Sequence, residues 1–188
     1  MLRTREPITL RSLVAGTCVS TMAVYTHFNG MDGMWRALRQ EGFTRLAARL
    51  ATVVPSDDPI RDLAALGAAY VGNAFDSPDL YRVMFDATFE LEDAHAADQT
   101  LHTVILAADR ARQAHRFDAD TDSLELATKT WAIWHGLVSL VATGPLPRQT
   151  LDYGVSMLTA LFVSAGDEQA RCRASVKRGW VHDRTQGG

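Results

Sequence analysis

The chain has 188 residues, 47% hydrophobic and 22% charged, with a formal net charge of −3, which suits one globular domain with a real core and a small appendage. No stretch approaches the roughly 18–20 uninterrupted apolar residues that cross a bilayer, and the opening MLRTREPITL lacks the apolar run of a secretion signal; the expected compartment is the cytoplasm, with no membrane partner. Cys18 and Cys172 lie far apart with no neighbouring Cys or His pattern, so neither a zinc site nor a disulfide framework is expected.

Charge divides the chain unevenly. Residues 1–50 hold seven arginines (Arg3, Arg5, Arg11, Arg36, Arg39, Arg45 and Arg49) against Glu6, Asp32 and Glu41, whereas the remainder holds twelve basic and nineteen acidic residues. Clustered arginine suits phosphate contacts, so a polyanion partner is expected for the N-terminal part alone.

In that part, Thr9 precedes LRSLVAG, where Leu10, Leu13 and Val14 make a one-sided apolar face of two turns. Ser20 then caps a second short helix, TMAVYTHF, in which Val24 and Phe28 lie one turn apart and should point inward together. Two short helices joined by a tight turn form a helix-turn-helix; the second would enter a major groove of double-stranded DNA while the first crosses the backbone. Thr9, Arg11, Ser20, Thr21, Met22, Tyr25, Thr26 and His27 are the expected DNA-contacting residues, since their cationic, hydroxyl and aromatic groups suit phosphates and base edges.

Helix signals continue. Asp58-Pro59 opens an amphipathic segment in which Ile60, Leu63, Leu66, Tyr70, Val71 and Ala74 recur at three- and four-residue steps, ending near DSPD. A shorter helix is expected over 80–89 and another over about 94–115, with Leu101, Val104, Ile105 and Ala108 on one side. Asp122 or Ser123 caps LELATKTWAIWHGLVSLVATG, stopped by Gly144 and Pro145, and a last helix runs over 148–165 with Leu151, Val155, Leu158 and Phe162 as its stripe. Strand alternation is scarce. The expected fold is all-α: a helix-turn-helix over 1–45, a helical bundle for ligand binding and dimerisation over 46–166, and a polar tail over 167–188 that is expected to be disordered.

The helix after Ser123 is apolar on most of its circumference, more than a surface helix needs. Either a second subunit covers it, giving a homodimer whose seam holds Leu137, Leu140, Val141, Leu151, Val155, Leu158 and Phe162, or its own monomer buries it. Tyr70, Tyr81, Met84, Phe85, Phe89, Trp131, Trp134 and His135 sit on helices that should meet. They read as the lining of a pocket for an unknown small apolar or aromatic effector, or as ordinary aromatic core, His135 serving in the latter case as a structural or interface residue. FELEDAH (Glu90, Glu92, Asp93, His95) lacks metal-ligand spacing, and no nucleophile elbow or carboxylate pair stands out. No metal, no cofactor and no enzymatic activity are expected.

The stretch VSTMAVYTHFNGMDGM resembles the TetR family of transcriptional regulators: Ser20, Tyr25, His27, Phe28 and Asp32 match its capping Ser, its Tyr-x-His-Phe run and the acidic residue opening a long connecting helix. SPDLYRVMFD (77–86) and WAIWHGLVSLVATG (131–144) resemble the ligand domain of the branch with a Trp-His-Gly motif, here Trp134, His135 and Gly136. The resemblance implies a homodimeric repressor in which effector binding changes the separation of two recognition helices. Those helices must lie about 34 Å apart to read the half-sites of a near-palindromic operator. Three departures stand out. The family has a full helix ahead of Thr9, where only MLRTREPI stands here, so the first helix is expected to be missing or truncated; Cys18 stands at the usual turn glycine, with Gly16 two residues earlier; Met31 replaces a lysine. They leave open an alternative, a ligand- or protein-binding helical dimer that has lost DNA binding.

Overall fold

A computed structural model describes residues 15, 16, 18, 20–85, 95–142 and 144–182, and regular structure among them is entirely helical. In chain order these are α1 (Thr21–Phe28), α2 (Met31–Ala51), α3 (Pro59–Asp76), α4 (Pro78–Met84), α5 (His95–Gln113), α6 (Ser123–Ala142), a 3-10 turn (Arg148–Tyr153), α7 (Gly154–Ser164) and α8 (Gln169–Gly179).

The starts are set by side chains that accept otherwise orphaned backbone N–H groups. Ser20 Oγ accepts from the Ala23 amide at 3.1 Å, and Asp58 from Arg61 at 3.2 Å, with Pro59 in the first turn of α3. Asp122 accepts from Leu124 and Glu125, and Glu168 from Ala170 and Arg171. Helix α5 ends with His115 in the left-handed region at φ 53°, and the Arg116 amide reaches back to the Ala111 carbonyl at 2.9 Å. That turn tips Arg116 into the protein interior.

Helix α3 is the hub. Ile60, Leu63, Leu66, Tyr70, Val71 and Ala74 are buried along it, and α2, α5, α6 and α8 pack around it. Each fully buried Leu, Ile or Phe contributes about 1.5–3 kcal/mol relative to exposure, so the α3 stripe anchors the whole bundle. Helix α2 runs without a break across residue 45, where the N-terminal unit was expected to end.

The structure corrects several expectations. Residues 167–188 do not begin a disordered tail: Gln169–Gly179 is helical, with Cys172, Val176 and Trp180 buried against α3 and α7; residues 183–188 lie outside the described set. The apolar residues there are few and spaced three to four apart, and a polar remainder masks them. Leu137, Leu151, Leu158 and Phe162 do not belong to a dimer seam, since all four are buried in the core of their own chain. Residues 148–165 are not one helix either. A 3-10 turn precedes Gly154, whose missing Cβ makes room for the Trp180 indole. Finally, Val24 is buried but Phe28, one turn on, stays 40% exposed.

Candidate functional site

Two places carry chemistry. The first is α1. Val24 is its one buried side chain, while Met22 (69% exposed), Tyr25 (55%), Thr26 and His27 face solvent. Thr21 is half-buried, Ser20 is spent on the cap, and the Thr26 hydroxyl donates to the Met22 carbonyl at 2.9 Å. Thr9 and Arg11 lie outside the described residues.

The turn leaving α1 is defined by backbone that side chains resist. Asn29 closes the helix at φ 55°, its amide donating to the Tyr25 carbonyl at 3.0 Å, and Gly30 follows at φ 100°. A Cβ on Gly33 would run into the Phe28 carbonyl, so α2 starts hard against the end of α1. The phrase NGMDG therefore sets the angle of α1, a role that sequence reasoning missed although adjacent Asn-Gly is a turn signal. Ahead of α1, Gly16 takes φ 77°. A left-handed turn residue in this segment is thus a glycine, two positions before Cys18 and not inside a helix as expected.

The second place is an aromatic cluster where α3, α4 and α6 meet. Tyr70 and Tyr81 Oη lie 2.9 and 2.8 Å from His135 Nδ1 and 3.3 Å from each other. Ser139 Oγ stands 3.3 Å from His135 Nε2 and 3.4 Å from Tyr81 Oη. Burial depresses the His135 pKa, so the imidazole is neutral near pH 7, and burial raises both phenols, which stay protonated. With phenolic O–H groups at Nδ1, the network assigns the ring proton to Nε2, which donates to Ser139. One lone pair on Nδ1 accepts one good bond, so the second phenol shares its proton with the first.

Phe85 lies tilted against this imidazole at 4.3 Å between centroids, Tyr81 lies 5.0 Å from Phe85, and Trp131 and Trp134 stand 6.2 and 6.1 Å from Tyr70. The cluster therefore gathers Tyr70, Tyr81, Phe85, Trp131, Trp134 and His135 from the expected set. Met84 is buried but turns to α2, where a Cβ on Gly42 would overlap it, and Phe89 lies outside the described residues. Ser139, one turn after His135, was not foreseen; the i, i+4 spacing was the available signal. Of the acidic cluster, only His95 is described; it pairs with Gln99, and no group of metal-ligating residues occurs among the described residues.

The two places are joined by short steps. Arg39 Nε on α2 donates to the Met84 carbonyl at 2.9 Å, Gly42 lets α4 sit on the α2 backbone, and Phe43 meets Phe85 edge-on at 5.7 Å. Tyr81 and Phe85, on and just after α4, thus belong to the cluster and to the segment that packs on α2, the helix that leads to α1.

Of the expected dimer seam, Leu140 is exposed and Val141 and Val155 are half-buried. No described helix is long and apolar enough to cross a membrane.

Among solved structures, the fold is similar to that of a protein of unknown function from Rhodococcus sp. RHA1, with a TM-score of 0.68 at 21% identity over 85% of this chain and 86% of that one. It is also similar to RolR in complex with the ligand resorcinol, with a TM-score of 0.61 at 14% identity, covering 91% of this chain and 83% of that one. Comparison with curated proteins finds no match. The family described as "Tetracyclin repressor-like, C-terminal domain" matches residues 63–162, which run from α3 through α7 and include the aromatic cluster. The chain therefore belongs to the TetR family of transcription regulators.

Proposed function

We propose that the chain is a dimeric repressor whose hold on a near-palindromic operator is relieved by a small aromatic effector. The observation that carries this is α1: a two-turn helix with one buried anchor and five exposed side chains, Met22, Tyr25, Thr26, His27 and Phe28, on a turn that fixes its angle. A helix with so little core to fill is free to enter a groove.

The effector is assigned to the Tyr70–Tyr81–His135 cluster. A planar molecule bearing hydroxyl or carbonyl groups can exchange its own hydrogen bonds for those that Tyr70, Tyr81 and His135 now make with one another, beside the rings of Phe85 and Trp131. Resorcinol, the ligand of RolR, has that chemistry. Displacement at Tyr81 or Phe85 would pass through α4 and the Arg39 and Gly42 contacts to α2, and from there to α1. The second copy docks on the outer face of α6 and α7, where Leu140, Val141 and Val155 are joined by exposed Tyr153 and Met157.

Selection of bound duplexes from a random pool tests the reading. The expected product is a two-fold-symmetric site with half-sites one helical turn apart, bound more weakly as salt rises. A panel of dihydroxybenzenes should then release it, and Tyr81→Phe should blunt that release. A pool that yields no enriched sequence, from protein that sediments as a dimer, overturns the repressor reading in favour of a helical ligand-binding dimer.

A further inference from the structure

Helices α7 and α8 pack antiparallel: the Cys172 thiol donates to the Thr159 carbonyl at 3.9 Å, and Trp180 Nε1 donates to the Leu151 carbonyl at 2.9 Å. Between them runs a groove of about 840 Å³, separate from the aromatic cluster. One wall is α7, presenting Val155, Ala160 and Val163, with the Trp180 indole at the end; the other is one face of α8, presenting Gln169, Arg173 and Lys177 at four-residue steps. Its size lies within the range of small-molecule sites.

The cations of α8 divide into two sets. Arg171 is paired with Asp167 at 3.1 Å and Arg178 with Asp58 at 2.6 Å, and both help to hold the helix in place. Arg173 and Lys177 line the groove, and among the described residues neither has an ion pair or a hydrogen bond. Like charges one turn apart repel each other by a few tenths of a kcal/mol, so an anion seated between them removes a standing penalty. Asp152, 3.5 Å from His182, lies at the Trp180 end, next to the Leu151 carbonyl that Trp180 bonds, and makes that end unfavourable for a second carboxylate.

We propose that the α7–α8 groove binds a monocarboxylate with an extended apolar body, its carboxylate between Arg173 and Lys177 and its body along Ala160 and Val163, away from Asp152. The site is independent of whether α1 reads DNA and of what fills the aromatic cluster.

Isothermal titration of the full chain with decanoate and with decanol tests this. Decanoate should bind at least about tenfold more tightly than decanol, roughly 1.4 kcal/mol. The double substitution Arg173→Gln/Lys177→Gln, on exposed positions that leave the melting temperature unchanged, should bring the two ligands together by weakening decanoate alone. Ala160→Trp, which fills the apolar wall, should abolish decanoate binding while the cations remain. Undiminished decanoate binding in either variant, equal binding of acid and alcohol by the unaltered chain, or no heat with decanoate would overturn the proposal.

Discussion

Helices α1 and α8 are both short, both rich in polar residues, and stand at opposite ends of the described chain. They are held in opposite ways. Among the described residues, helix α1 has Val24 in the interior, a cap and a left-handed turn, whereas α8 buries Cys172, Ser175, Val176 and Gly179 and is fastened by ions at both ends. The identity of a few buried residues, not the polarity of the majority, decides whether a short helix stands proud of the core or becomes part of the frame.

The fastening of α8 is a network around Arg116. Its guanidinium grips Asp167 with two bonds of 2.8 Å and Asp58 with one of 2.9 Å, and Asp167 is fully buried. Asp58 is at once the cap of α3 and the partner of Arg178. One cluster therefore ties together the start of α3, the end of α5 and both ends of α8.

The sharpest way to break the contrast is Arg116→Ala. It leaves a buried carboxylate without its partner, and urea denaturation should show a loss of about 3–5 kcal/mol. Trp180→Ala comes next: it empties the slot formed by Gly67 and Gly154 and should cost about 3 kcal/mol, read the same way. Acid should act on the same frame. Burial alone would raise the Asp58 pKa, but hydrogen bonds from Ser175, Arg178, the Arg61 amide and Arg116 outweigh it and bring the carboxyl to about 2 from 3.8. Its folded pKa lies below its unfolded one, so its contribution is complete above about pH 4 and is lost as pH falls toward 2. That contribution is on the order of 1–2 kcal/mol and is measured by melting across that window in unaltered protein and in Asp58→Asn. At the α1 end, Ser20→Ala should cost about 1 kcal/mol or less. Smallest of all, Tyr25→Ala should move stability by under about 0.5 kcal/mol while lowering affinity for a selected duplex about tenfold. A Tyr25→Ala variant that melts several degrees lower would show that α1 is a structural end after all.

How much was legible follows the same division. Periodicity and capping placed α1, α3, α5 and α6 to within a few residues, because Ser20, Asp58 with Pro59, and Asp122 are local signals; α2 was legible only through the family resemblance, and α4 ends at Met84, short of the expected 89. The aromatic residues from α3, α4 and α6 were legible as a set because their stripes face one interior. What stayed hidden depends on residues far apart in sequence. Arg116 with Asp167, and Trp180 with Gly67 and Gly154, have no local spacing that announces them, so α8 read as a solvated charge run. The breadth of the apolar surface on α6 and α7 was visible, but whether their own chain or a second copy covers it depends on α3 and α8. That is why Leu151, Leu158 and Phe162 were assigned outward.

The unbroken course of α2 has a mechanical consequence. At about 1.5 Å per residue, the eleven steps from Gly42 back to Met31 make an arm of about 16 Å. If the helix pivots where Met84 bears on Gly42, a tilt of about 10° swings its far end by about 3 Å, close to the spacing between neighbouring base pairs. Under the proposed repressor reading, a nudge smaller than a ring's thickness at Tyr81 would thereby be geared up into a misfit of a whole step along the duplex.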